Sequence, residues 1–280
     1  KVITVAGTNG KGSTTTTLAA ILNAQGLNVG LYQSPHIYRF NERVKLQGKE
    51  VSDQTLIDAF VQVDQARRFC NLTLSFFEAT TLAAFVIFKQ QQCDVWVLEV
   101  GLGGRLDVVN VIDPDVAVIT NIGLDHTDWL GSTREAIGFE KAGIFRSGTA
   151  AICADPEPPQ SLLDHAAAMG TDLQVLGRDF GYSGDKTQWA YWGRDDQRRS
   201  GLAYPALRGG CQLRNASAVL AVLEVLNERL PVSMQAIHTG LIKVELPGRF
   251  QVLQGRPLVI LDVAHNPQAV RSEEHTSELQ

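Results

Sequence analysis

From the first residues to about residue 170, runs of apolar, β-branched residues alternate with stretches whose apolar positions recur at helical spacing. The runs predict strands near residues 2–5, 28–33, 95–100, 116–121 and 150–153, and the periodic stretches predict helices near 13–25, 54–69, 77–91 and 162–169. Strands alternating with helices argue for a mostly parallel sheet, because a parallel connection must cross over and a helix makes the crossing. Val95-Trp96-Val97-Leu98-Glu99-Val100 is apolar at all but one position, as a strand covered on both faces requires. The expected fold class is therefore α/β, with helices on both faces of the sheet. Glu99 falls near the C-terminal end of its strand, the edge at which open α/β sheets bind ligands.

The pattern changes from Arg178 to Arg208, where Gly, Tyr, Trp and charged residues predict a short β-meander appended to the sheet. A helix over 215–229 follows, with Leu220, Leu223 and Leu226 on its apolar side, and Pro231 breaks it. Leu246-Pro247-Gly248-Arg249-Phe250 reads as a hinge, and residues 257–262 as the start of another buried strand. This divides the chain into a central domain over 1–247, a hinge and first strand of a second domain over 248–270, and a tail over 271–280. Lys1 leads straight into an apolar strand with no initiator Met, so residues upstream are expected. The tail resembles a translated sequencing adapter and is set aside as non-native.

Composition narrows the function classes. Lys+Arg number 25 against 30 Asp+Glu, a formal charge of −5 with no basic block; nucleic acid is not an expected partner, since backbone binding needs clustered positive charge. Ala79–Phe88 is the nearest approach to a membrane span, and Lys89 ends it well short of the roughly 18 apolar residues required. Cys70, Cys93, Cys153 and Cys211 are scattered without a C-x-x-C pair, which suits a reducing cytoplasm better than a disulfide framework or a zinc site.

Four local patterns carry candidate chemistry. Val5-Ala6-Gly7-Thr8-Asn9-Gly10-Lys11-Gly12-Ser13 lies between a strand and a helix. Glycines there let backbone N–H groups turn toward phosphate oxygens, the helix start adds positive potential, and Lys11 supplies an ammonium. The run departs from G-x-x-x-x-G-K-[ST], having Val5 at the first Gly position and Gly12 before Ser13. Glu99, followed by Gly101-Leu102-Gly103-Gly104, resembles the acid that holds Mg²⁺ opposite such a loop; the plainer alternative is a Glu paired with Arg105. Asp125-His126-Thr127-Asp128 can bind a metal, move a proton or merely cap the next helix. Lys141 can simply pair with Glu140 on a helix surface.

Taken in order, GTNGKGS, QSPH, LEVGLGGRLD, DHTDWLG, EKAGI, PGRF and DVAHNP resemble the folylpolyglutamate synthase/dihydrofolate synthase family, a branch of the Mur ligase superfamily, from residue 1 to about 270. The resemblance implies an ATP-dependent amide ligase with a P-loop ATPase central domain and a Rossmann-like C-terminal domain, of which only the start is present. It implies that Thr8, Asn9, Gly10, Lys11, Gly12 and Ser13 hold the ATP phosphates, and that Ser34 and Glu99 hold a first Mg²⁺. His126 would contact a second Mg²⁺, and Lys141 would be carbamylated to give that ion an anionic ligand. Asn215 is implied on the adenine side, Arg249 on phosphate, Asp262 on ribose, and His265 beside the nucleotide.

For a dihydropteroate substrate the resemblance points to Ser75, Phe76, Phe77, Glu78, Leu106, Asp107 and Val108. The reading of the residues alone leaves two adjacent Phe at a helix start as ordinary core. The implied reaction joins L-glutamate to 7,8-dihydropteroate through an acyl phosphate and extends folate polyglutamate tails. Lys11, Lys141, His126 and Arg249 would be the catalytic groups, in a cytoplasmic monomer that binds neither nucleic acid nor membrane. A chain carrying only the start of the second domain is expected to complete no ligation. The alternatives are a Mur-type cell-wall peptide ligase and a P-loop nucleotide-binding switch protein.

Overall fold

The computed structural model describes residues 1–185, 187–194, 196–266 and 269–270; the tail over 271–280 lies outside the described residues. In chain order the elements are β1 (Val2–Ala6), α1 (Lys11–Ala24), β2 (Val29–Tyr32), β3 (Val44–Leu46), β4 (Lys49–Glu50), α2 (Asp53–Phe69), α3 (Phe76–Gln90) and β5 (Val95–Glu99). They continue with β6 (Val116–Ile119), α4 (Thr127–Leu130), α5 (Arg134–Ala142), β7 (Ala150–Cys153), α6 (Gln160–Met169) and β8 (Asp172–Val175). The remainder are β9 (Gly181–Gly184), β10 (Trp189–Trp192), β11 (Arg198–Leu202), α7 (Gln212–Val225), α8 (Met234–Lys243), β12 (Gln251–Leu253) and β13 (Val259–Leu261).

Eight strands form the main sheet in the order β4-β3-β2-β5-β1-β6-β7-β8. All neighbours from β2 to β8 run parallel, and only β3 and β4 are antiparallel. Alternate residues of each central strand feed opposite faces, as the two-residue period demands. Val95, Val97, Val116 and Val118 join a core with α1, α7 and α8, while Leu98, Ala117 and Ile119 join a second core with α2, α3, α5 and α6. Burial on both faces accounts for the nearly unbroken apolar runs that made these strands legible.

The departures from expectation lie where that signal is weak. The edge strands β4 and β8, and β3 beside β4, are short and carry Lys, Glu, Asp and Gln. Helices α5 and α8 begin on Thr133 and Ser233, whose hydroxyls accept from the N–H groups of Ala136 and Ala236; α5 enters the sequence reading only as a helix surface for Glu140 and Lys141, and α8 not at all. The meander does not extend the main sheet: β9, β10 and β11 make a separate antiparallel sheet in which Trp189 and Tyr191, both 1% exposed, pack into the same core as α7. The strand expected to be buried at 257–262 is instead an exposed ribbon. Val259, Ile260 and Leu261 are 42%, 40% and 44% exposed, because β13 pairs only with β12. Among the described residues no helix is long and apolar enough to cross a membrane.

Helix α8 closes over α1 through Gly240, where an added Cβ would stand 2.4 Å from Ile21 Cγ1 and 2.6 Å from its Cα. The contact is partly with backbone, so a rotamer change cannot relieve it. Gly240→Ala is expected to cost about 1–3 kcal/mol, read as a lower urea midpoint at unchanged slope; an unchanged midpoint would refute this account of the helix contact.

Candidate functional site

The loop between β1 and α1 is shaped by what lies directly behind it. Gly7, at φ +152°, faces the end of β6 so closely that a Cβ would fall 1.8 Å from Thr120 Oγ1. Gly10 takes the left-handed φ of +84° at the start of α1, and a Cβ there would stand 2.8 Å from Asn215 Oδ1. The segment after β6 braces the loop. Thr8 N–H donates to Asn121 O at 3.0 Å, Asn9 N–H to Asn121 Oδ1 at 2.7 Å, and Thr120 Oγ1 to Asn9 O at 2.6 Å. Among the described residues no side chain caps the start of α1, and its first turn holds no acid, so the positive end of the helix is left for an anion.

Lys11 folds back over the loop, donating from Nζ to Gly7 O at 2.9 Å and Thr8 O at 3.1 Å. Burial pushes its pKa down, with Glu99 and Asp125 pulling the other way. Glu99 ends β5 in register with Val5 and is 4% exposed. Burial raises its pKa to about 7 against the opposing pull of Lys11 and Arg249. Its alternative partner is engaged elsewhere: Arg105 bridges Glu140 at 2.8 Å. That same pair removes Glu140 from Lys141, which is 3% exposed and has no ion pair or hydrogen-bonding partner for its ammonium among the described residues. Burial pushes the Lys141 pKa down to about 7, with the nearby Lys11 charge adding to the effect.

Thr8, Asn9, Gly10, Lys11, Gly12, Ser13, Ser34, Glu99, Arg249, Asp262 and His265 line one cleft at the C-terminal edge of the sheet. Asn215 is buried behind the loop. The segment at Asn266 is latched to the loop: the amides of Asn266 and Asn9 exchange hydrogen bonds of 3.0 and 3.2 Å, and Asn266 Nδ2 donates to Asp125 Oδ2 at 2.9 Å. Asp262 accepts from Phe250 N and Ala264 N, both at 2.6 Å. His126 opens α4 in a left-handed conformation with its imidazole 55% exposed, 4.0 Å from the Asp125 carboxylate; it does not line the cleft.

The substrate candidates gather at neighbouring loops rather than in the cleft. Ser75 and Glu78 form a capping box that opens α3, the Ser75 hydroxyl accepting from Glu78 N at 3.2 Å and the Glu78 carboxylate from Ser75 N at 2.7 Å. Phe76 is 63% exposed, its ring edge-on to Phe40 with the Arg43 guanidinium over it, whereas Phe77 packs beneath Gly101. Asp107 accepts from the N–H groups of Gly101, Leu102 and Val109, and burial raises its pKa. Leu106 is 80% exposed and Val108 half-buried.

Sequence reasoning missed four residues. Gln33 Nε2 donates to Gly12 O, Thr15 Oγ1 and Thr16 Oγ1 at 3.0, 2.8 and 2.8 Å, pinning the Gln33-Ser34 segment to α1. Asn121 carries the brace described above. Arg208 and Arg214 line the cleft from the α7 side. The available signal for Gln33 and Asn121 was their position just after a strand, and for Arg214 its place beside Asn215; Arg208 carried none.

The Mur ligase middle domain family matches residues 5–186. A dihydrofolate synthase/folylpolyglutamate synthase of Escherichia coli (strain K12) is 47% identical over 96% of this chain, which spans 61% of that protein's length. A solved structure, E. coli FolC in complex with DHPP and ADP, superposes with a TM-score of 0.93 at 46% identity, covering 99% of this chain and 65% of that one. A bifunctional folylpolyglutamate synthase/dihydrofolate synthase complexed with AMPPNP and Mn ion, from Yersinia pestis, gives 0.91 at 48% identity over 98% of this chain and 65% of its own.

The depressed pKa of Lys141 fixes the sign of a pH effect. Between about 7 and its ordinary 10.5 the unfolded chain holds a proton that the folded chain has released, so stability climbs with pH across that window. Below it the full cost of a buried ammonium remains. Lys141→Met is therefore expected to be more stable than the parent at pH 6, by an amount on the order of 3 kcal/mol, with the difference shrinking toward pH 10. Urea titrations across that range check it, and a constant gap would count against a buried, unpaired ammonium.

Proposed function

The chain belongs to the Mur ligase family, in its folylpolyglutamate synthase/dihydrofolate synthase branch, and from that premise we propose that it supplies the ATP-binding core of a ligase joining L-glutamate to 7,8-dihydropteroate. The same ligase would extend folate polyglutamate tails. The observation that carries this reading is the convergence of the uncapped start of α1, Lys11, Glu99 and Arg249 on one cleft at the C-terminal edge of the sheet.

The donor set fits a magnesium nucleotide. Glu99 and the hydroxyls of Ser34 and Ser13 are hard oxygen donors on that cleft, and the described residues hold no cluster of three or more His, Cys, Asp or Glu suited to a metal. Mg²⁺ commonly takes one or two protein oxygens and completes its shell with phosphate and water. When bound, the ion would neutralise triphosphate charge. A neutral carboxyl on Glu99, favoured by its raised pKa, would have to lose its proton to serve as that ligand. For the second ion we propose Lys141 and His126. Support for a carbamylated Lys141 is its burial and its pKa of about 7, since CO₂ adds to the neutral amine.

In the proposed reaction the pterin carboxylate takes the γ-phosphoryl group, and the amine of glutamate displaces phosphate from the acyl phosphate to leave the amide. A carboxylate approaching a phosphate meets like charge. Lys11 and Arg249 reduce that repulsion and stabilise charge on the transferred group; no side-chain nucleophile takes part. We place Asn215 and Asp262 near the adenosine, His265 beside it, and Phe76, Phe77 and residues 106–108 at the pterin, with Ser75 and Glu78 holding the start of α3. The four free cysteines fit a cytoplasmic setting, and we propose a monomer.

Calorimetry with AMPPNP and Mg²⁺ should give measurable binding to this chain and none for Lys11→Ala; equal affinities would sink the cradle assignment. The ligase reading is tested by a chimera in which residues 1–266 replace the matching part of the E. coli relative. ADP release is expected only when pterin and L-glutamate are both supplied. Release that ignores glutamate would point to the switch-protein alternative.

A further inference from the structure

The cleft holds more positive charge than the proposed reaction uses. Arg208 and Arg214 line it from the α7 side, and neither guanidinium has an ion pair or hydrogen bond among the described residues; the Nε of Arg214 is buried without an acceptor. Arg214 also sits in the first turn of α7, which contains no acid. A cation there opposes the helix dipole, so the local structure gains nothing from it.

The cleft has two distinguishable ends. Near Gly12 an added Cβ would lie 3.5 Å from Arg249 Nη2 and 3.7 Å from Glu99 Oε2, which puts both groups at the Lys11 end. On the other side α7 leans on the loop, with Gln212 Nε2 3.5 Å from Ser13 Oγ and Asn215 against Gly10. Were a nucleotide to lie across the loop with its terminal phosphate between Lys11, Glu99 and Arg249, its inner phosphates would lie toward α7.

We propose that Arg214, assisted by Arg208, binds the phosphates that are not transferred and so sets nucleotide affinity without entering phosphoryl transfer. The inference rests on the nucleotide reading above. Guanidinium donors lie in the plane of the group, and a donor without an acceptor asks for an in-plane oxygen; stacking on the adenine would leave the fork unsatisfied. Contact remote from the reacting phosphorus stabilises ground and transition states alike, which lowers KM and leaves kcat unchanged.

The test compares parent, Arg214→Ala and Arg214→Lys by calorimetry with ADP and with adenosine in Mg²⁺ buffer, and by steady-state kinetics in the chimera. Arg214→Ala should weaken ADP by about tenfold or more, as for one charge-assisted hydrogen bond, and leave adenosine unaffected. Arg214→Lys should recover part of the loss. The ligand-free melting temperature should stay level or rise, since a cation leaves a helix N-terminus, and in the chimera KM for ATP should rise at constant kcat. Unchanged ADP affinity, an equal loss for adenosine, or a fall in kcat at constant KM would each overturn the proposal while leaving the nucleotide reading intact. A parent chain that binds no ADP would overturn both.

Discussion

Burying charge at the carboxyl edge of a sheet is the constraint on which the rest of this structure depends. Glu99 sits at the end of a strand covered on both faces, where an isolated carboxylate is strongly disfavoured. It is tolerable there because Lys11 and Arg249 lie close by and because its pKa rises toward neutrality. Lys11 in turn is held by carbonyls of its own loop, and that loop keeps its shape only because Gly7 and Gly10 admit Thr120 and Asn215 at distances no side chain would allow. The charge balance, the glycines and the strand order form one dependent set.

Strand order does much of that work. With β1 between β5 and β6, the loop between β1 and α1 emerges beside Glu99 on one side and beside Thr120 and Asn121 on the other. Groups more than 85 residues apart in the chain thus meet without any long side chain having to reach. The segment around Asn266 then comes back over the loop through its bonds to Asn9 and Asp125, so the same cleft is walled by residues from both ends of the chain's described length.

Several side chains have local work that competes with any direct part in binding. Ser75 and Glu78 satisfy each other's backbone at the start of α3, and Asp107 spends its lone pairs on three backbone N–H groups. Their positions are thereby fixed, and they present Phe76 and Leu106 outward.

The central strands, the first three helices and the glycine-rich turn between β1 and α1 were written in the sequence because each depends on a local signal: an apolar run, a 3.6-residue period, or glycines at a strand-to-helix junction. Glu99 was legible for the same reason, as the one acid in a buried strand. The tertiary structure alone decided who pairs with whom. It gave Arg105 to Glu140 and so left Lys141 without a partner among the described residues, detached the meander from the sheet, and brought Arg208 and Arg214 to the cleft. Burial and partnership come from residues distant in the chain, and no period or motif in a single segment encodes them.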